Sequence, residues 1–319
     1  MGEGASSAGD DDALLRRELR RGAIPVEVHL AADEVADVSP PPPLFALVPR
    51  SAYLPIWHDG PIGDDAAAAG DDDAVDGPTP RTHFAPRLAP GRDASAPWFD
   101  HEGLPLRWNL PVGILRDLCA PDARAPWRLT VHYRAFDDAT DSVENADGAM
   151  FSCGVGGEPR TVARAHFFNS LKEAVFVAKG SAGGVQGLSR RARADLWRSV
   201  VTGDGALAVA AEDELGMRAT AAFKRVPMRL YVRRNVNVNV GPGGVVMRGE
   251  AMRGWGEVTT TSAPATNGAT LREALEELGA GGAKKAMVDG VDVDLETTLE
   301  TLHGAMRGSD QFLHVCVWL

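Results

Sequence analysis

Ile24-Pro25-Val26-Glu27-Val28-His29-Leu30 places an apolar residue at every second position, a period that predicts a β-strand with one face turned to a core. Working outward, Pro40 to Pro43 lead into Leu44-Phe45-Ala46-Leu47-Val48, an apolar run short enough to be its strand partner. Leu104-Pro105-Leu106-Arg107-Trp108 reads as a further strand, and Pro111 suits the first turn of a helix on which Val112, Leu115, Leu118 and Cys119 recur at helical spacing. Leu129, Val131 and Tyr133 then alternate with Thr130, His132 and Arg134, which adds one more strand.

The same order returns near the other end of the chain. Val226, Met228, Leu230 and Val232 alternate with Pro227, Arg229, Tyr231 and Arg233, and Gly241-Pro242-Gly243-Gly244 between Val236–Val240 and Val245–Met247 predicts a hairpin. Thr270-Leu271-Arg272-Glu273 is a capping box opening a helix on Leu271, Leu275 and Leu278. Ala286-Met287-Val288 reads as a strand, Leu295, Leu299 and Leu302 as a short helix, and Phe312 to Trp318 as a closing strand. Each end is therefore an α+β unit of ubiquitin-like content. Between them, Val143 to Phe223 holds three helical stretches that need partners for their apolar stripes.

The expected fold class is α+β, with two ubiquitin-like (β-grasp) domains flanking a helix-rich domain. The expected boundaries are an N-terminal tail and short helix over 1–23, a first ubiquitin-like domain over 24–135, the helix-rich domain over 136–222 and a second ubiquitin-like domain over 223–319. Within the first domain, residues 59–97 are rich in Ala, Asp, Gly and Pro, a composition expected to form a disordered insertion.

The chain has 319 residues, 44% of them hydrophobic, and 33 Lys+Arg against 44 Asp+Glu leave a net charge of -11. That balance argues against nucleic-acid binding, which needs a basic field to displace counterions. Cys119, Cys153 and Cys316 are far apart and form no Cys-x-x-Cys pair, as expected in a reducing compartment. No apolar run approaches the roughly 20 residues of a membrane span, so a cytoplasmic protein is expected. No phosphate-binding loop, nucleophile elbow or zinc-ligand spacing appears, and neither cofactor, metal nor catalytic residues are expected. His132 and His314 lie in strand patterns, where satisfied structural histidines are the expectation. Arg16, Arg17, Arg20 and Arg21, and Arg190, Arg191, Arg193 and Arg198, read first as solvated helix faces, with peripheral contact to anionic lipid as the secondary reading.

One lysine stands apart. In Phe167-Phe168-Asn169-Ser170-Leu171-Lys172-Glu173-Ala174-Val175-Phe176, helical geometry puts Phe168, Lys172 and Phe176 on one face, which surrounds the lysine stem with apolar neighbours. Lys172 either snorkels, its methylenes on the rings and its ammonium in water, or presents its amine as a nucleophile toward a carbonyl or thioester. Periodicity does not choose between the two.

Val48-Pro49-Arg50-Ser51-Ala52-Tyr53-Leu54, Trp98-Phe99-Asp100-His101-Glu102-Gly103-Leu104, Pro126-Trp127-Arg128-Leu129-Thr130-Val131-His132, Phe168-Asn169-Ser170-Leu171-Lys172-Glu173-Ala174, Val226-Pro227-Met228-Arg229-Leu230-Tyr231 and Phe312-Leu313-His314-Val315 occur in an order that resembles the autophagy protein 5 family. The resemblance implies an autophagy scaffold without its own catalytic residues. It implies that Lys172 is the isopeptide acceptor for the ubiquitin-like modifier autophagy protein 12, with activating and conjugating enzymes as transient partners. It further implies that the conjugate binds the coiled-coil autophagy protein 16 as a helix in a groove and promotes, in an E3-like way, lipidation of autophagy protein 8 at the phagophore assembly site membrane. The rival from another class is a ubiquitin-like adaptor that binds partners noncovalently, and a third reading is an enzyme with Cys153 as nucleophile.

Overall fold

The computed structural model describes residues 4–59, 79–93, 95, 97–122, 124–136, 151–153, 158–218, 223, 225–233, 258–260, 263–264 and 269–319. The hairpin expected over Val236–Met247 lies outside them, as do residues 60–78 of the insertion.

The chain opens with helix α1 (Gly4–Arg20), which starts well before the basic stretch that signals it in the sequence. The first unit contains β1 (Ala23–Leu30), β2 (Leu44–Pro49), α2 (Leu54–Asp59), α3 (Pro80–Phe84), β3 (Trp98–His101), β4 (Leu104–Pro105), α4 (Val112–Cys119) and β5 (Trp127–His132). Its sheet runs β2-β1-β5-β3-β4, with β1 and β5 parallel at the centre. The alternation seen in the sequence is realised: Ile24, Val26, Val28 and Leu30 are buried beside Trp127, Leu129 and Val131, while Glu27, Arg128 and Phe45 look outward. Val112, Leu115, Leu118 and Cys119 close that core from α4. The expected Leu104–Trp108 strand ends at Pro105, although Leu106 stays in the core and its N–H donates to the Phe99 carbonyl at 2.7 Å.

Part of the expected insertion is ordered. Thr79 and Thr82 form a reciprocal capping box at the start of α3, Phe84 is fully buried, and Val35 bridges Leu88. Composition misses this segment because one aromatic and one leucine anchor it, and a window average dilutes two residues among many Ala and Asp.

Helices α5 (Pro159–Lys179), α6 (Gly183–Gln186), α7 (Arg190–Thr202) and α8 (Gly205–Leu215) form the middle. Their core joins Phe167, Leu171 and Val175 to Leu196, Trp197 and Leu215, and it takes in Tyr53 and Ile56 from the first unit. Ser189 caps α7 by accepting the Ala192 N–H at 3.1 Å, and Asp204 caps α8 through Ala206 at 2.9 Å.

After a short pair, β6 (Arg225–Val226) with a later strand, the second unit contains β7 (Met228–Arg233), β8 (Val258–Thr260), the partner of β6, β9 (Ala263–Pro264), then α9 (Leu271–Glu277), β10 (Ala286–Val288), β11 (Val291–Val293), α10 (Leu299–Met306) and β12 (Leu313–Trp318). Its sheet order, β11-β10-β12-β7-β8, repeats the first when each is counted from its own first strand, and its first and last strands are again parallel neighbours. Both sheets also make the same turn between their third and fourth strands. Glu102-Gly103 and Asp289-Gly290 are two-residue loops with positive φ at both positions, 52° and 82° in one and 49° and 79° in the other. The second turn reveals β11, which the sequence reading did not separate.

The central strands of the second sheet, β10, β12 and β7, are buried on both faces. Leu313, Val315 and Val317 face its own core, whereas Cys316, Tyr231 and Met287 join the core of the first unit against α4. The capping box opening α9 is present, with Thr270 accepting the Glu273 N–H and Glu273 accepting the Thr270 N–H at 2.8 Å. Thr270→Ala is expected to cost about 1 kcal/mol, read as an earlier urea midpoint, and Thr270→Ser should restore most of it. Equal midpoints for Thr270→Ala and wild type would refute the cap's contribution.

Candidate functional site

Lys172 sits on α5, which begins at Pro159 and ends at Gly180, a left-handed cap with φ of 76°. Phe167, Phe168, Leu171, Ala174 and Val175 form the buried stripe of this helix, and Asn169, Glu173 and Phe176 are exposed. Lys172 is half-buried on the border between the two stripes, and its Nζ donates to Asn169 Oδ1 at 3.4 Å. Among the described residues it makes no ion pair. The expected aromatic surround is divided: Phe168 is buried, with the Arg193 guanidinium 5.3 Å from its ring centre, whereas Phe176 remains 58% exposed.

The helix is held from both sides. His166 meets the rings of Tyr53 and Trp108 edge-on at 6.1 and 5.6 Å, contacts that tie α5 to the first unit. One turn on, Arg229 of β7 donates to Ser170 Oγ and Glu173 Oε2, both at 2.9 Å, and lies 3.9 Å from the centre of the Phe312 ring. The residue beside Lys172 therefore pins the helix to the second unit.

A second constellation gathers where α1, the helical middle and the second unit meet, and the sequence does not announce it. The Glu212 carboxylate of α8 accepts from Arg16 at 3.0 Å, from Arg20 at 2.8 Å, from Arg307 at 2.8 Å and from Gln311 at 3.2 Å. Arg16 also donates to the Gly304 carbonyl of α10, and Arg20 donates to the carbonyls of Arg307 and Gly308. Burial raises the Glu212 pKa, but Arg20, Arg307 and Arg16 together outweigh it and hold the carboxyl at about 2. Burial takes the Arg307 guanidinium down to about 10, against the pull of Glu212. These contacts lock α1 onto the bundle and the second unit. They overturn the reading of Arg16 and Arg20 as part of a lipid-facing patch, since only 1% and 6% of these residues is exposed. Arg17 and Arg21 alone look outward, both beside Glu18. In the second basic group, Arg190 and Arg191 are exposed, while Arg193 is spent on the Val185 carbonyl and the Phe168 ring.

A parallel pin involves Arg50. Its guanidinium reaches Asp117 in the first unit and Asp289 in the second, the latter at 2.8 Å. Gly290 lets this happen: a Cβ there would stand 2.9 Å from Arg50 Nη1. Between the two pins opens a cleft whose apolar wall includes Tyr53, Ile114, Phe167, Val200 and Val288.

Among the described residues Cys153 has no activating partner. It is buried, its Sγ donates to the Pro159 carbonyl at 3.4 Å, and burial pushes the thiol up to about 12. Alkylation of Cys153 by iodoacetamide at pH 7 is expected to be slow, because the thiolate is the reactive form; rapid modification of the folded chain would restore the nucleophile reading. His314 is satisfied at both ring nitrogens, by Tyr231 at 2.9 Å and Asp310 at 3.0 Å, as expected for a structural histidine, and His132 pairs through Nε2 with Asp100 at 2.6 Å. Among the described residues no cluster of His, Cys, Asp and Glu is arranged for a metal, and no helix is long and apolar enough to cross a membrane.

Two β-grasp sheets of one topology, pinned to a helical bundle that carries a half-exposed lysine, define a protein of the double ubiquitin-like class. Three signatures match the chain: the UblA domain of autophagy protein ATG5 over residues 78–133, its alpha-helical bundle region over 160–206 and its UblB domain over 225–317. The chain is 31% identical over 254 residues to autophagy protein 5 of Oryza sativa subsp. indica, covering 70% of this chain and 58% of that one, and 33% identical over 183 residues to autophagy protein 5 of Arabidopsis thaliana, covering 57% and 44%. The crystal structure of Kluyveromyces marxianus Atg5 superposes with a TM-score of 0.67 at 18% identity, covering 95% of this chain and 99% of that one. The chain belongs to the autophagy protein 5 family. It spans 58% of the length of its rice relative.

Proposed function

We propose that the chain is a non-enzymatic scaffold of autophagosome formation whose Lys172 receives the C-terminal carboxyl group of autophagy protein 12. The observation that carries this reading is the position of Lys172, at the border of the exposed stripe on a helix anchored to both ubiquitin-like domains. The chemistry asks little of the acceptor. The neutral amine attacks the thioester carbonyl held by a conjugating enzyme, the C–N bond forms, the C–S bond breaks, and the thiol leaves with the proton lost by nitrogen. Rigid support holds the amine within reach, and the enzymes of the pathway supply the catalytic groups.

The cleft between the arginine pins supports a second part of the reading. Its apolar wall, open between three rigid units, suits an amphipathic helix, and we assign it to the coiled-coil partner autophagy protein 16. The conjugate then acts in the cytoplasm and peripherally at the phagophore assembly site membrane, promoting lipidation of autophagy protein 8.

Mass spectrometry of the conjugate formed with the pathway enzymes tests the covalent step. A branched peptide at Lys172 is the expected product. A branch at another lysine, or a complex that falls apart in hot detergent, would instead favour a noncovalent adaptor.

A further inference from the structure

Phe168, one helical turn before Lys172, gathers two cations. The guanidinium carbons of Arg164, one turn earlier on α5, and of Arg193, on α7, lie 6.0 and 5.3 Å from the centre of its ring. Arg164, Phe168 and Lys172 are spaced four residues apart and share one face of α5. The charged ends on this face are open to solvent. All three nitrogens of Arg164, and Nε and Nη1 of Arg193, make no hydrogen bond among the described residues, and none of them is sealed from water.

No carboxylate of the chain answers these charges. Among the described residues Arg164, Lys172, Arg190 and Arg193 make no ion pair, and the acids that neighbour them in the sequence or the fold are engaged. Glu173 accepts from Arg229 at 2.9 Å, Asp195 faces Arg191 at 3.6 Å, and Glu214 accepts from the Ser189 N–H and Oγ, both at 2.9 Å. Arg190 and Arg193, three residues apart, also stand at the start of α7, where the helix dipole opposes positive charge. Like charges set together in this way weaken the fold locally. A chain with 44 acidic residues and a net charge of -11 thus keeps a cationic collar on one side of its candidate acceptor.

We infer that Arg164, Arg190 and Arg193 form a docking surface for an acidic patch beside the thioester cysteine of the conjugating enzyme, and that they steer that enzyme onto α5 for transfer to Lys172. This rests on the reading of Lys172 as the acceptor. The attacking nitrogen and the thioester carbonyl must come within about 3–3.5 Å of each other, and the enzyme's sulfur is bonded directly to that carbonyl. The enzyme surface around its cysteine therefore lies over the helix beside Lys172, whereas the body of the modifier is held off by its own chain end. Opposite charge on the two surfaces speeds encounter and fixes orientation, and it leaves the bond-making step itself alone.

The test is single-turnover discharge of the modifier-loaded conjugating enzyme onto the full chain, read as the saturating rate and the chain concentration that gives half of it, in about 50 mM and about 500 mM NaCl. Arg164→Glu and Arg190→Glu should each raise the half-saturating concentration about tenfold at the lower salt and less than about threefold at the higher, with saturating rates within about twofold of wild type. Arg128→Glu, the same change of charge on the exposed side of the first sheet, should leave both quantities unchanged. Should Arg164→Glu fail to fold, Arg190→Glu carries the test, because this exposed side chain makes no hydrogen bond or ion pair among the described residues and the helix dipole favours an acid there. Half-saturating concentrations equal to wild type at the lower salt overturn the inference and leave Lys172 as the acceptor. Weaker binding to phosphatidylcholine vesicles containing phosphatidylserine, without slower discharge, also overturns it and assigns the arginines to an anionic lipid surface. A wild-type product with no branch at Lys172 overturns the acceptor reading and this inference with it.

Discussion

Glu212→Gln is expected to lower the unfolding free energy by roughly 3–5 kcal/mol, the cost of leaving buried cations without their counter-charge. Arg16, Arg20 and Arg307 all converge on this carboxylate, and the residual amide offers one acceptor oxygen in place of a charged pair. A loss of that size is a large part of the 5–15 kcal/mol that holds an ordinary fold together, so the urea midpoint should fall steeply. Amides of α1 should lose hydrogen-exchange protection first, since both of its buried arginines end there.

The pH dependence has a definite sign. Glu212 is held at about 2 in the fold against an ordinary 4.5. A depressed carboxyl binds fewer protons folded than unfolded, so its contribution is complete above about 4.5 and disappears as the pH falls toward about 2. The stability gap between wild type and Glu212→Gln should therefore be flat from pH 7 to 5 and should close below 4.5. A gap that persists at pH 2 would show that the carboxylate charge is not its source.

Lys172→Arg is expected to abolish the covalent conjugate, because a guanidinium stays protonated and does not attack a thioester at neutral pH. The fold should not notice. Lys172 makes one 3.4 Å hydrogen bond to Asn169 and no ion pair among the described residues, so stability should stay within about 0.5 kcal/mol of wild type. Binding of the coiled-coil partner should also survive, since Lys172 is not among the residues lining the cleft. Conjugate of undiminished abundance in Lys172→Arg would defeat the assignment, and loss of the coiled-coil partner in the same variant would argue against separate surfaces.

The β-grasp units were largely legible because their signals are local. Alternation in Ile24–Leu30 and Met228–Arg233 reports a strand whichever sheet it enters, and Thr270 with Glu273 marks a helix start within four residues. The candidate site was legible only in part. Lys172 stood out by its aromatic neighbours, yet the division of those neighbours, with Phe168 inward and Phe176 outward, follows from the core that the other helices build against one side of α5. The arginines of α1 were misread for the same reason. Arg16 and Arg20, one helical turn apart, look like any basic face until Glu212 arrives from 196 and 192 residues away.

Sequence alone determined the main strands and helices of each unit, the repetition of one architecture and the candidate lysine, since period, caps and turn residues act within a few positions of one another. Tertiary structure alone decided that the central strands of the second sheet are buried on both faces, that Phe84 anchors a segment whose composition reads as disordered, and that two surface-like arginines are internal. Burial and charge pairing at these places are properties of what lies across the contact, and a chain carries no local pattern for a partner some two hundred residues away.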